Sequence, residues 1–72
     1  MTHRQLSARS LKSRIETLSR RHRELDARIE AEQHGAWPDM SRIKRLKQER
    51  LGLRDAIRLT EAILARAGGK AA

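Results

Sequence analysis

The chain has no cysteine, no phenylalanine and no tyrosine, and it has one tryptophan and one proline. Each shortage removes a class of protein. Without cysteine there is no disulfide framework, no zinc ribbon and no thiol nucleophile, which suits a chain kept in a reducing cytoplasm. With Trp37 as the sole aromatic residue there is too little side-chain bulk for a deep core around a pocket. No enzyme activity, small-molecule substrate or cofactor is therefore expected. Apolar runs reach only a few residues, so neither a transmembrane helix nor a secretory signal is expected. At 72 residues the chain makes one small domain or one supersecondary unit.

What is abundant is charge. Charged residues make up 36 % of the chain, with a net charge of +8. The excess runs through both halves: residues 1–34 carry 8 − 5 = +3 and residues 35–72 carry 9 − 4 = +5. Such a balance attracts polyanions and acidic proteins at long range. Acids are interspersed with the bases, however, so there is no pure basic tail, and solvated helix faces account for much of this charge.

Helix breakers concentrate in one segment, Gln33, His34, Gly35, Ala36, Trp37, Pro38 and Asp39. In the arm before it, Leu11, Ile15, Leu18, His22, Leu25 and Ile29 alternate spacings of four and three. In the arm after it, Ile43, Leu46, Arg50, Leu53, Ile57, Thr60 and Leu64 do the same with polar members included. That alternation is the seam of a helix packed along another helix. A connection of about five residues is too short for a parallel return, so the helices run antiparallel. The predicted fold is all-α, a helical hairpin, with helix one over about 3–34, a turn at 35–38, helix two over about 39–67 and a frayed tail at 68–72.

Local signals set these ends. Thr2 with Gln5 has the spacing of a capping box, with Ser7 or Ser10 as alternatives, while Ser13 with Glu16 repeats the pattern inside the seam and is discounted. Gly35 can take the left-handed conformation that closes helix one, Pro38 and Asp39 suit the start of helix two, and Gly68 and Gly69 suit its end. Matching the order of threes and fours pairs Leu11 with Leu64, Ile15 with Thr60, Leu18 with Ile57, His22 with Leu53, Leu25 with Arg50 and Ile29 with Leu46.

A lone hairpin buries little surface for each residue it orders. Helix two carries a second small and apolar stripe, Gly52, Ala56, Leu59 and Ile63, whereas helix one is charged almost everywhere off its seam. Self-association through helix two is expected, most simply a homodimer forming a four-helix bundle.

Two strings carry a resemblance. His22, Leu25, Asp26 and Ile29 form HxxLDxxI; after the turn with Pro38 and Asp39, residues Leu46, Lys47, Leu51, Leu53, Arg54, Asp55 and Ile57 form LKxxxLxLRDxI. Over about residues 15–60 this resembles the YdcH-like family of small bacterial proteins, a family of unknown function. Ala56 and Arg54 stand where that family often has Glu and Lys, and Gly52 is unusual inside a helix. The resemblance implies a helical hairpin, a bacterial cytoplasm and no established catalytic activity. It transfers no functional residue.

Candidate functional residues are few. His22 and Arg50 are either a polar pair that fixes register or responds to pH, or, as favoured here, a packed histidine and an arginine reaching solvent along its stem. Asp26 and Asp55 are candidates to pair across the hairpin with Lys47 and Arg54. Trp37 is either a partner's anchor or, as favoured, a plug over Ile29 and Ile43. His3, His22 and His34 lie too far apart for a metal site, and no catalytic constellation can be assembled. Arg42, Lys44, Arg45, Lys47, Arg54 and Arg58, with Arg20, Arg21 and Arg23 at similar height on helix one, are candidate nucleic-acid contacts. Long antiparallel arms cannot present a helix-turn-helix, and Trp37 alone makes a poor stacking platform. An interaction or scaffold module with a second copy or an unidentified protein as partner is the favoured reading, with non-specific nucleic-acid binding as the alternative and no membrane partner.

Overall fold

The alternating seams fold into two helices packed against each other. The computed structural model describes the backbone of residues 7–71 and the side chains of residues 7–67. Helix α1 spans Ala8–Gln33 and helix α2 spans Met40–Ala71. Their lengths of 26 and 32 residues correspond to about 39 and 48 Å of helix. The result is a flat rod with extents of 53 × 27 × 14 Å.

Helix α1 starts later than the spacing predicts. Ser7 is extended, with φ −76° and ψ 163°, and its hydroxyl accepts a 3.1 Å hydrogen bond from the Ser10 amide. That satisfies one of the unpaired donors of the first turn. Thr2 and Gln5 lie outside the described residues, and the extended Ser7 places the helix start at Ala8 rather than near residue 3.

The other end corrects the role of Gly35. No described residue has positive φ, so no left-handed glycine closes α1. Instead His34 caps it, with its amide donating to the Glu30 carbonyl at 3.1 Å and its ring Nδ1 lying 2.9 Å from the same oxygen. Glycine permits the left-handed conformation without requiring it.

Asp39 starts α2. Its carboxylate accepts from the Arg42 amide at 3.1 Å, and its carbonyl accepts from the Ile43 amide at 3.0 Å. Glu32 reaches across from the last turn of α1, where a carboxylate faces the wrong end of its own helix dipole. Its Oε2 accepts from the Asp39 amide at 3.2 Å, and its Oε1 lies 4.0 Å from Arg42 Nε. At the start of α2 the same charge is favourably placed, so Glu32 ties the turn shut. The far end of α2 also differs from expectation: the helix continues through Gly68 and Gly69 to Ala71. Glycine costs about 1 kcal/mol in a helix but does not break the hydrogen-bond ladder.

The core follows the seams. Leu11, Leu18, Leu25, Ile29 and Ile43 are buried, Leu11 to 2 % exposure, and Thr60 is buried with its hydroxyl donating to the Ala56 carbonyl at 2.7 Å. Ile15, His22, Leu46, Arg50, Leu53, Ile57 and Leu64 are half-buried. Trp37 is 91 % exposed, which overturns the plug: Ile29 and Ile43 are buried without it.

Candidate interaction surfaces

The hairpin has two long sides, and their charges differ. On one side, Arg21, Glu24, Arg28 and Glu49 surround an open groove floored by Leu25, Gly52 and Leu53. Its rim is balanced, with two bases and two acids. On the other side, adjoining grooves are lined by Ser19, His22, Arg23, Arg54, Ile57, Arg58 and Glu61, and by His22, Lys47, Arg50, Leu51 and Arg54. Here the bases outnumber the acids. The expected cluster of cations is thus split: Arg23 joins Lys47, Arg54 and Arg58, whereas Arg21 faces Glu24 and Glu49. Arg42 lies beside Glu32, and Lys44 lines a third groove further round α2. Arg45 is exposed.

One polar linkage joins the helices on the basic side. Arg50 Nη1 donates to Asp26 Oδ1 at 2.8 Å, while His22 Nδ1 lies 3.4 Å from the other oxygen, Oδ2. Asp26 is therefore partnered by Arg50, not by Lys47 or Arg54, and Arg50 does not run free to solvent. Among the described residues Asp55 makes no ion pair. The expected layer set Arg50 against Leu25, and its guanidinium reaches the carboxylate of the next residue, Asp26. The hydrogen bond from Arg50 holds the Asp26 carboxyl below its ordinary range, against desolvation and with help from the nearby His22 and Arg50 charges.

One flank of α2, beside the balanced groove, is apolar. Leu59 is 64 % exposed and Ile63 42 %, on the stripe with exposed Gly52 and half-buried Ala56. A Cβ built on Gly52 would meet nothing within 4 Å. The sequence named Leu51 only within the family string and did not single out Met40; they are 54 % and 70 % exposed on another flank of α2. Their spacing with Lys44 and Lys47, four, three and four residues, was the available signal.

No group of three or more His, Cys, Asp or Glu able to hold a metal ion occurs among the described residues. No described helix is long and apolar enough to cross a membrane.

The fold and surfaces define a class, the small basic all-α hairpin whose charged and apolar faces lie open to solvent. Within it the chain belongs to the family described as "Protein of unknown function (DUF465)", whose model matches residues 15–61 and which includes the YdcH-like small proteins. Neither the curated proteins nor the solved structures yield a match to this chain.

Proposed function

We propose that this protein is a non-enzymatic interaction module of the bacterial cytoplasm, a hairpin that pairs with a second copy of itself through the Gly52, Ala56, Leu59 and Ile63 flank of α2 to form a four-helix bundle. The exposure of Leu59 and Ile63 on one face, turned away from the seam, carries this reading. The stripe is self-complementary. An antiparallel two-fold pairing sets Leu59 over Ala56 of the second copy and Ile63 over Gly52, large side chains against small ones. It also sets Glu49 opposite Arg66 of that copy.

Sedimentation of the wild type and Leu59→Glu tests the proposal. A dimeric wild type and a monomeric variant with the same helical circular dichroism are expected. A wild type that stays monomeric at high micromolar concentration removes the reading.

The basic side favours a second reading, non-specific binding of nucleic acid through Arg23, Lys47, Arg54 and Arg58. Such binding follows phosphate charge and weakens steeply with salt. Titration into random-sequence duplex at low and moderate salt decides it. Binding at low salt that fades as salt rises supports it, and no binding at low salt eliminates it.

A further inference from the structure

A further surface lies off the self-association stripe and shares Lys47 and Leu51 with the basic side. Met40, Ile43, Lys44, Lys47, Gln48 and Leu51 line a shallow groove built by α2 alone. Met40, Lys44, Lys47 and Leu51 follow one another along a single flank for three turns, about 16 Å. The two ends are exposed and apolar, and the middle presents two ammonium groups. Trp37, exposed in the turn, lies three residues before Met40.

We infer that this flank is a docking site for an acidic amphipathic helix of a partner protein. It builds on the interaction-module reading but uses a different face. Charge complementarity selects the occupant. A helix places apolar side chains three turns apart on one stripe and carboxylates between them, matching Met40 and Leu51 at the ends and Lys44 and Lys47 in the middle. A second copy fits badly, because antiparallel two-fold pairing of this flank puts Lys44 against Lys47 between molecules that each carry +8. A lipid surface fits less well too, because the lysines interrupt the apolar side chains along the very stripe that would have to insert.

The full-length protein is titrated into a labelled synthetic helix with leucines at positions i and i+11 and glutamates at i+4 and i+7 between them, with fluorescence anisotropy as readout. A twin with lysines in place of the glutamates is the control. Saturable binding of the glutamate helix is expected, at least tenfold tighter than that of the twin. Leu51→Glu should weaken it at least tenfold while preserving the circular dichroism, because Leu51 is exposed in the free protein. Leu59→Glu should leave it intact, so loss of self-association and loss of docking are read separately. Equal binding of the twin, or insensitivity to Leu51→Glu, overturns the proposal. So does a change of sedimenting mass in Leu51→Glu, which assigns the flank to a second copy. Binding of anionic phospholipid vesicles abolished by Leu51→Glu, with none of the peptide, assigns it to a lipid surface instead.

Discussion

The two helices treat their apolar residues differently. Four of the buried apolar side chains, Leu11, Leu18, Leu25 and Ile29, belong to α1, and among the described residues α1 exposes no large apolar side chain. Helix α2 contributes Ile43 and Thr60 to the buried set, leaves Leu46, Leu53, Ile57 and Leu64 half-covered, and turns Met40, Leu51, Leu59 and Ile63 to solvent. A hairpin has one shared seam, and α1 holds little more apolar material than that seam accommodates. The surplus on α2 has no place in the monomer. Large exposed apolar side chains grouped on one element often mark contact surfaces, which is why the proposed contacts of the hairpin are placed on α2.

The largest effect should come from core truncation on α1 compared with truncation on the open flank of α2. Leu18→Ala removes a buried side chain and should cost about 2–5 kcal/mol, enough to unfold much of a domain this small. Leu51→Ala removes an exposed one and should stay within about 0.5 kcal/mol. Urea denaturation at low micromolar concentration measures both. Equal losses would show that the two helices are not divided in this way.

Gly52→Ala sharpens the comparison with a smaller effect of opposing signs. The added Cβ meets open space, and alanine is favoured over glycine inside a helix by about 1 kcal/mol. The isolated hairpin should therefore become more stable by roughly that amount. Pairing through the Gly52 stripe would nevertheless weaken, because Ile63 of the second copy is to pack where the glycine leaves space. Thermal melts at low concentration and sedimentation across a concentration series separate the effects. A variant that is more stable and also dimerises more tightly would move the contact away from Gly52.

The division between helices was partly legible in the residue pattern. Every seam position is buried or half-buried, because the alternation of threes and fours is a direct consequence of one helix packing along another. Leu59 and Ile63 were also legible, as apolar residues on a second stripe. Trp37 was not. Tryptophan in a turn is compatible with either a covered or an open end, and only the path of residues 34–39 decides between them. The flank joining Met40 and Leu51 was missed, although Leu51 stands in the family string, because lysines separate the two and no continuous apolar face draws attention to them. The Asp26 to Arg50 hydrogen bond depends on which neighbour of its layer the long Arg50 side chain reaches, which heptad spacing leaves undetermined. Glu32 was hidden for a different reason: its charge opposes the dipole of its own helix, and its use appears only once the start of α2 is beside it.

The smallest predicted effect tests the charged hydrogen bond between Asp26 and Arg50. The Asp26 carboxyl is held below the unfolded value of about 3.9 chiefly by the bond from Arg50. A carboxylate whose folded value is lowered binds fewer protons in the native state, so its contribution is fully present above the unfolded value and is lost as the pH falls through the folded one. Asp26→Asn should therefore be slightly less stable than the wild type at neutral pH, and the gap should close on acidification below about pH 4. The effect is small because Asp26 is only half-buried and solvent screens the pair. Urea midpoints of both proteins between pH 7 and pH 2 give the difference curve. A gap that stays constant to the acid end would mean that Asp26 holds α1 to α2 through the shape of its hydrogen bond and not through its charge, leaving the joint between the closed helix and the open one insensitive to pH.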